Sequence, residues 1–390
     1  LAKPLAQIVF NKPLVFLPLV FSCFFLIVEP IRSFFSMSFS AKKDIKILPP
    51  LELSYQFLKI IFVLIAITIL SYNLKVAGIF LALSISGFLS LILISFFLIK
   101  KYRELVFGKT TWIDKKRVLR YMKYMGLTGI TIIFFGSIDV LMLGRFVDAS
   151  HLGYFRAAFV LIASISALLP FSGVLLPIFT QIHGKRLDRG FHKSLRYLLI
   201  LAIPMFVGIT FLSKYAILIL YGKEYLPANM VLIFLSPLIV ISPLILLYST
   251  IFQAKERLNL LANSAIISLL INIFLNYILI KFLLGISQEY AIIGAGIATL
   301  ISNIFFLTIL IYKTNYYFKI KTDYQIILKS LTATAIMAFF IFIFMRYVEI
   351  KIFSGIVMIF FGIIIYFSSM LLIKGLGKED LKLFKLIFKR

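Results

Sequence analysis

Apolar positions along this chain neither alternate nor recur on one face with polar residues between. They run on without interruption for about 20 residues at a time, the length that spans a bilayer's hydrocarbon core. Such runs lie near 14 to 31, 54 to 71, 76 to 99, 124 to 143, 154 to 178 and 195 to 212. Five more follow near 228 to 250, 262 to 283, 290 to 312, 327 to 345 and 352 to 373. The pattern predicts an all-α polytopic membrane protein of about eleven transmembrane helices. A transmembrane barrel would show short segments of alternating polarity, which a run such as Ile60 to Leu70 does not.

The polar gaps carry a second pattern. With connections assigned alternately to the two sides, those after odd-numbered spans collect most of the 41 Lys and Arg residues, as in Lys100 to Lys123 and Lys185 to Arg196. The opposite side holds Lys75, Arg145, Lys214, Lys223, Lys281, Arg346 and Lys351. Because basic residues concentrate in cytoplasmic loops, the C-terminus is placed in the cytoplasm and residue 1 outside, in a plasma-membrane protein. An exported N-terminus calls for a signal sequence, and the chain starts at Leu1 without Met, n-region or cleavage site. The expectation is a fragment that has lost an odd number of spans from its front.

Composition narrows the function classes. In 390 residues, 62% hydrophobic and 14% charged content excludes a string of soluble domains. The formal charge of +26 would suggest nucleic-acid binding in a soluble chain, but topology accounts for it here and no nucleic-acid partner is expected. One cysteine, Cys23, and three scattered histidines leave neither a disulfide framework nor a metal site, and no cofactor is expected. Gly108-Lys109-Thr110 lacks the earlier glycine of a P-loop, and no loop has room for a catalytic domain, so the chain is read as a transporter and not an enzyme.

The chain also repeats itself. Phe39-Ser40-Ala41-Lys42 after the first span matches Phe252-Gln253-Ala254-Lys255 after the seventh, and Gly78, Ala82 and Ser86 match Gly294, Ala298 and Ser302. The paired spans are an even number apart, so both copies enter the membrane in the same direction, as parallel-repeat lobes. Residues 1–112 are read as the remainder of an N-terminal lobe whose first three helices are missing, and 113–315 as a six-helix lobe. Residues 316–390 add two helices and a basic amphipathic tail that includes Leu381, Leu383, Phe384, Lys385 and Arg390. The small-residue spacing itself is a helix-packing signal.

Ionisable groups inside spans are costly and point to function. Asp139 is read as the one clear intramembrane carboxylate, with Arg156 and Lys59 as intramembrane cations. Asp139 and Arg156 either form an ion pair, or Arg156 holds an anionic headgroup while Asp139 restrains it or serves in coupling. Lys59 either snorkels to the interface or makes a second phosphate contact. Ser264, Ser268, Asn272 and Asn276 form a stripe that either bonds helix to helix or lines a cavity for sugar hydroxyls. Prolines 170, 177, 204, 237 and 243 mark helices expected to kink, which suits rocking lobes and is also common in membrane helices generally.

The stretch Asp139-x-x-x-Leu143-Gly144, then Gly153-Tyr154-x-x-Ala157, resembles the opening of a lobe in polysaccharide flippases of the Wzx type. These belong to the multidrug, oligosaccharidyl-lipid and polysaccharide exporter superfamily, and the repeated Ala-Lys box and the run Gly294 to Thr299 look like the same family. The resemblance implies two six-helix lobes plus two terminal helices, this chain fitting helices four to fourteen. It implies flipping of an isoprenoid-diphosphate-linked oligosaccharide from the cytoplasmic to the outer leaflet during cell-surface polysaccharide biosynthesis. The implied partners are that lipid-linked oligosaccharide, membrane lipids and other polysaccharide assembly proteins. A drug or small-molecule exporter of the same superfamily, which would need acidic cavity residues, is an alternative. So is a membrane glycopolymerase, which would need an outer cluster of charged residues.

Overall fold

A computed structural model describes residues 16–42, 44, 47–71, 74–104, 108, 114–169, 172–320, 325–347 and 352–375, and the basic tail from 381 on lies outside them. Among the described residues the regular structure is helical throughout, and ten stretches are long and apolar enough to cross a membrane, one of them, Ala228–Ala254, running through two consecutive helices. An eleventh, Ile352–Leu372, contains the shorter apolar run Val357–Leu372.

Residues Leu1–Ile113 and Asp114–Arg390 form two compact units. The first contains α1 (Phe16–Ala41), α2 (Leu48–Ile69) and α3 (Lys75–Lys101), with α3 packed against both others. Its small core is Phe39, Leu51, Ile94 and Leu98.

The second unit begins with α4 (Lys115–Phe146), whose amino end is capped by Asp114 accepting from the Arg117 N–H at 3.1 Å. There follow α5 (Ala149–Ala167), α6 (Ser172–Gln181), α7 (Gly184–Tyr221), α8 (Ala228–Leu235) and α9 (Leu238–Ala254). The unit closes with α10 (Leu258–Leu284), α11 (Gln288–Phe318), α12 (Gln325–Tyr347) and α13 (Ile352–Leu372). Helices α10 and α11 pair most closely, α4 lies on α10, and α7 carries α12 and α13. The last pair is pinned by Tyr366, whose hydroxyl donates to the Ile200 carbonyl of α7 at 2.7 Å and contacts Ser330 Oγ of α12 at 2.9 Å.

Two spans expected to be continuous are divided. The run 154 to 178 becomes α5 and α6, with Pro170 in the sequence between them, and 228 to 250 becomes α8 and α9, parted at Ser236 and Pro237. Hydropathy is blind to this, because a proline inside an apolar run removes a ladder N–H without lowering the run's apolar character. Pro204 and Pro243, by contrast, sit inside α7 and α9.

The two repeat boxes are structurally alike. Phe39 and Phe252 are both fully buried, and each meets an aromatic ring edge-on at the end of the third helix of its set, Tyr102 just past α3 at 5.9 Å and Phe318 closing α11 at 5.4 Å. Gly294 explains the close approach of α10 and α11: a Cβ there would lie 2.9 Å from the Leu279 carbonyl oxygen and 3.0 Å from Leu283 Cδ1. Since one of those atoms is backbone, Gly294→Ala is expected to cost about 1–3 kcal/mol through overpacking. A lowered thermal midpoint in detergent, read by size-exclusion recovery after heating, checks this; an unchanged midpoint refutes it.

Candidate functional site

Three helices of the second unit converge on one carboxylate. Helix α4 delivers Asp139, α10 delivers Asn272 and Asn276 one turn apart, and α11 delivers Thr299 and Ser302. Asn276 Nδ2 donates to Asp139 Oδ1 at 2.6 Å, and Thr299 Oγ1 donates to Asp139 Oδ2 at 2.6 Å. Asn276 Nδ2 also reaches the Asn272 carbonyl at 3.0 Å, while Asn272 Nδ2 donates to Ser302 Oγ at 3.0 Å. Asp139 is 1% exposed and both asparagines 0%, yet among the described residues the carboxylate has no cationic partner.

Of the two sequence readings of Asp139 and Arg156, the ion pair is absent among the described residues. Arg156 stands exposed on α5, and the partners that replace it are neutral. The stripe of Ser264, Ser268, Asn272 and Asn276 is fully buried, so in this conformation it bonds within and between helices instead of lining an open cavity. Ser268 donates to the Ser264 carbonyl, and Ser264 Oγ accepts from Lys313 Nζ at 2.8 Å. Two amide oxygens, Asn272 Oδ1 and Asn276 Oδ1, are buried without a hydrogen-bond partner. Uncompensated acceptors beside an uncompensated carboxylate favour a positively charged guest.

A cavity of about 300 Å³ lies next to this cluster. Its walls include Thr128, Thr131, Ser242, Ser249, Gln253 and Asn303 among apolar residues, and Thr299 belongs both to the wall and to the Asp139 cluster. The lining is mostly apolar, with these hydroxyl and amide groups set into it and no charged group.

The first unit contains charges that the sequence reading missed. Arg32, assigned there to a loop, lies inside α1 and is 6% exposed. Its Nε and Nη2 take both oxygens of Glu29 at 3.0 and 2.8 Å, and Nη1 reaches Glu52 Oε1 of α2 at 3.0 Å. The Tyr55 hydroxyl donates to Glu29 Oε2 at 2.9 Å, and Arg32 lies 4.0 Å over the Tyr55 ring. Lys59 is half-buried with its amine 4.7 Å from the same ring. Asp139 is therefore not the one intramembrane carboxylate: Glu29 and Glu52 lie inside helices apolar enough to span. The signal available in the sequence was Glu29 three residues before Arg32, a spacing that places opposite charges on one helix face. The Phe39 to Phe252 offset also carries Glu29, Ser36 and Glu52 onto Ser242, Ser249 and Ala265, all three of which line the second unit's cavity.

Comparison with known proteins follows from this architecture. Residues 1–231 match the polysaccharide biosynthesis protein family. The chain belongs to that family. A curated relative, the probable low-salt glycan biosynthesis flippase Agl15 of Haloferax volcanii, is 26% identical over 285 residues, which is 70% of this chain. The chain spans 58% of that relative's length. Among solved structures, the lipid II flippase MurJ in an inward closed conformation superposes with a TM-score of 0.64 at 19% identity, covering 92% of this chain and 72% of that one. That likeness establishes the fold of this polysaccharide biosynthesis protein as a multi-pass helical membrane architecture. Among the described residues no group of three or more His, Cys, Asp and Glu side chains is placed to hold a metal ion.

Proposed function

We propose that this protein flips an isoprenoid-diphosphate-linked oligosaccharide across the plasma membrane, from the cytoplasmic to the outer leaflet. The observation that carries the reading is Asp139, buried between three helices with neutral partners and joined through Thr299 to an uncharged cavity whose apolar walls carry hydroxyl and amide groups. An ionised carboxylate that far from water needs a proton or a cation to accompany it. Asp139, with the free amide oxygens of Asn272 and Asn276, is accordingly the coupling group, taking up a proton or a monovalent cation. The hydroxyl and amide lining offers partners for sugar hydroxyls, and the lipid tail stays in the bilayer, sparing the cost of moving polar groups through hydrocarbon.

In this reading the units correspond to an N-terminal lobe, a six-helix lobe and a terminal helix pair, with the C-terminus cytoplasmic. Arg156, exposed on α5 with no ion pair among the described residues, is a contact for the anionic headgroup. Lys59, on the first unit, is a candidate for a phosphate contact of its own. The buried stripe would meet sugar only if α10 and α11 part. Family membership and the named relative support the substrate class. Glu29 and Glu52 are the acidic residues that a cation exporter would need, but both are already engaged by Arg32.

The test is flipping of a fluorescent polyprenyl-diphosphate oligosaccharide in proteoliposomes, using the full-length protein. Arg156→Ala is expected to slow transport about tenfold, the loss of one charge-assisted contact to phosphate. No transport by the full-length protein would sink the reading; transport unaffected by Arg156→Ala would remove Arg156 from the substrate path.

A further inference from the structure

The second unit has another pocket, of about 460 Å³, formed where α4 begins and where α9 turns into α10. Arg117 and Arg120 reach it from α4, and Lys255 and Arg257 from the turn, with Tyr121 and Tyr124 beside them. Against these four cations stands one carboxylate, Glu256. The amino end of α10, 27 residues long, opens here with no side chain capping it. Lys313 adds positive charge one turn in, reaching the Leu260 carbonyl at 3.2 Å. A helix amino end surrounded by guanidinium groups favours an anion.

The acid occupies a telling position. Arg117 grips Glu256 with two hydrogen bonds, Nε to Oε2 at 2.9 Å and Nη2 to Oε1. Glu256 makes this contact from a left-handed backbone (φ 54°), a conformation that costs a non-glycine residue energy. The guanidinium holds the Glu256 carboxyl below its ordinary value, so the link is intact at neutral pH and is lost only as the pH falls through that lowered value. Lys255 is tied to the Ile182 carbonyl at 2.7 Å, whereas Arg120 and Arg257 have no ion pair among the described residues. Bidentate carboxylate and bidentate phosphate make the same demand on an arginine.

We infer that this pocket is a binding site for a diphosphate-class anion, and that Glu256 is a built-in competitor which an incoming diphosphate displaces from Arg117. The free guanidinium groups of Arg120 and Arg257 make the first contact, and the tyrosines border whatever group the diphosphate carries. The inference stands on the pocket itself and does not depend on transport. Its site is separate from the Asp139 cluster and shares no residue with it.

The experiment measures equilibrium binding of inorganic diphosphate to the full-length protein in phosphatidylcholine nanodiscs, against wild type, Glu256→Gln and Arg120→Gln. Glu256→Gln, which frees Arg117, is expected to tighten binding about fivefold. Arg120→Gln, which leaves the Arg117 link in place, is expected to weaken it three- to tenfold. A parallel arm uses a short-chain isoprenoid diphosphate in the disc. Both probes following the variant order places lipid-linked diphosphate at the site. The soluble ion alone following it assigns the site to free phosphates. Binding of both probes unmoved by either variant overturns the inference, and does so even if flipping is observed, since transport is measured separately.

Discussion

Asp139→Asn is expected to abolish coupled flipping, by about a hundredfold or more in rate, a difference of roughly 2.7 kcal/mol in activation free energy. The expectation is specific because the substitution nearly preserves the local bonding. An asparagine at 139 still accepts from Thr299, and once the Asn276 amide flips, giving up its bond to the Asn272 carbonyl, the new amide donates to Asn276 Oδ1, which is buried without a partner in the native chain. What it removes is the capacity to be charged in one part of the cycle and neutralised in another. Thermal stability should hold or rise slightly while gradient-driven transport disappears. Asp139→Ala separates the two contributions, leaving the Asn276 amide and the Thr299 hydroxyl unsatisfied at about 1–3 kcal/mol each. The measurement pairs unfolding midpoints with proteoliposome flipping under an imposed proton or sodium gradient. Undiminished, gradient-dependent transport by Asp139→Asn would end the coupling role and leave the cluster a packing device.

The second large effect is on the first unit's stability. Arg32→Ala removes a guanidinium that binds two carboxylates and lies against Tyr55, at an expected cost of about 2–3 kcal/mol. The value is below that of a fully buried pair because Glu29 and Glu52 are partly accessible and can rehydrate. The double change Glu29→Gln with Arg32→Met should be milder than Arg32→Ala alone, since it leaves fewer stranded charges. Limited proteolysis of the α1–α2 region reports the result, and equal resistance in all three proteins would mean the network contributes no stability.

These two clusters were unequally legible in the sequence, for physical reasons. Asp139 stands out because hydropathy is flat around it, and Asn272 and Asn276 stand out by their one-turn spacing. What the sequence leaves open is their mutual contact, since Asn276 and Asp139 are 137 residues apart and meet only when α10 packs on α4. Arg156 looked like the partner because it is close along the chain, but its position on α5 leaves it exposed. Arg32 was misassigned for the opposite reason. A charge normally ends an apolar run, and the span was closed at residue 31, yet Glu29 one turn earlier neutralises the guanidinium and α1 continues to Ala41. The helix count was legible because every span must satisfy its backbone bonds internally; the ends of α5 and α6 and the turn at Ser236 and Pro237 were not, since the flanking residues are apolar.

The match of Glu29, Ser36 and Glu52 to Ser242, Ser249 and Ala265 has an evolutionary consequence. An internal duplication would have given both halves the same wall, and the corresponding places now differ. One wall carries acids and the arginine that binds them; the other carries neutral hydroxyls and an alanine beside an open volume. Such divergence lets either copy be remodelled without disturbing the other, so a change of cargo could be selected in the uncharged half while the charged half went on holding its helices together.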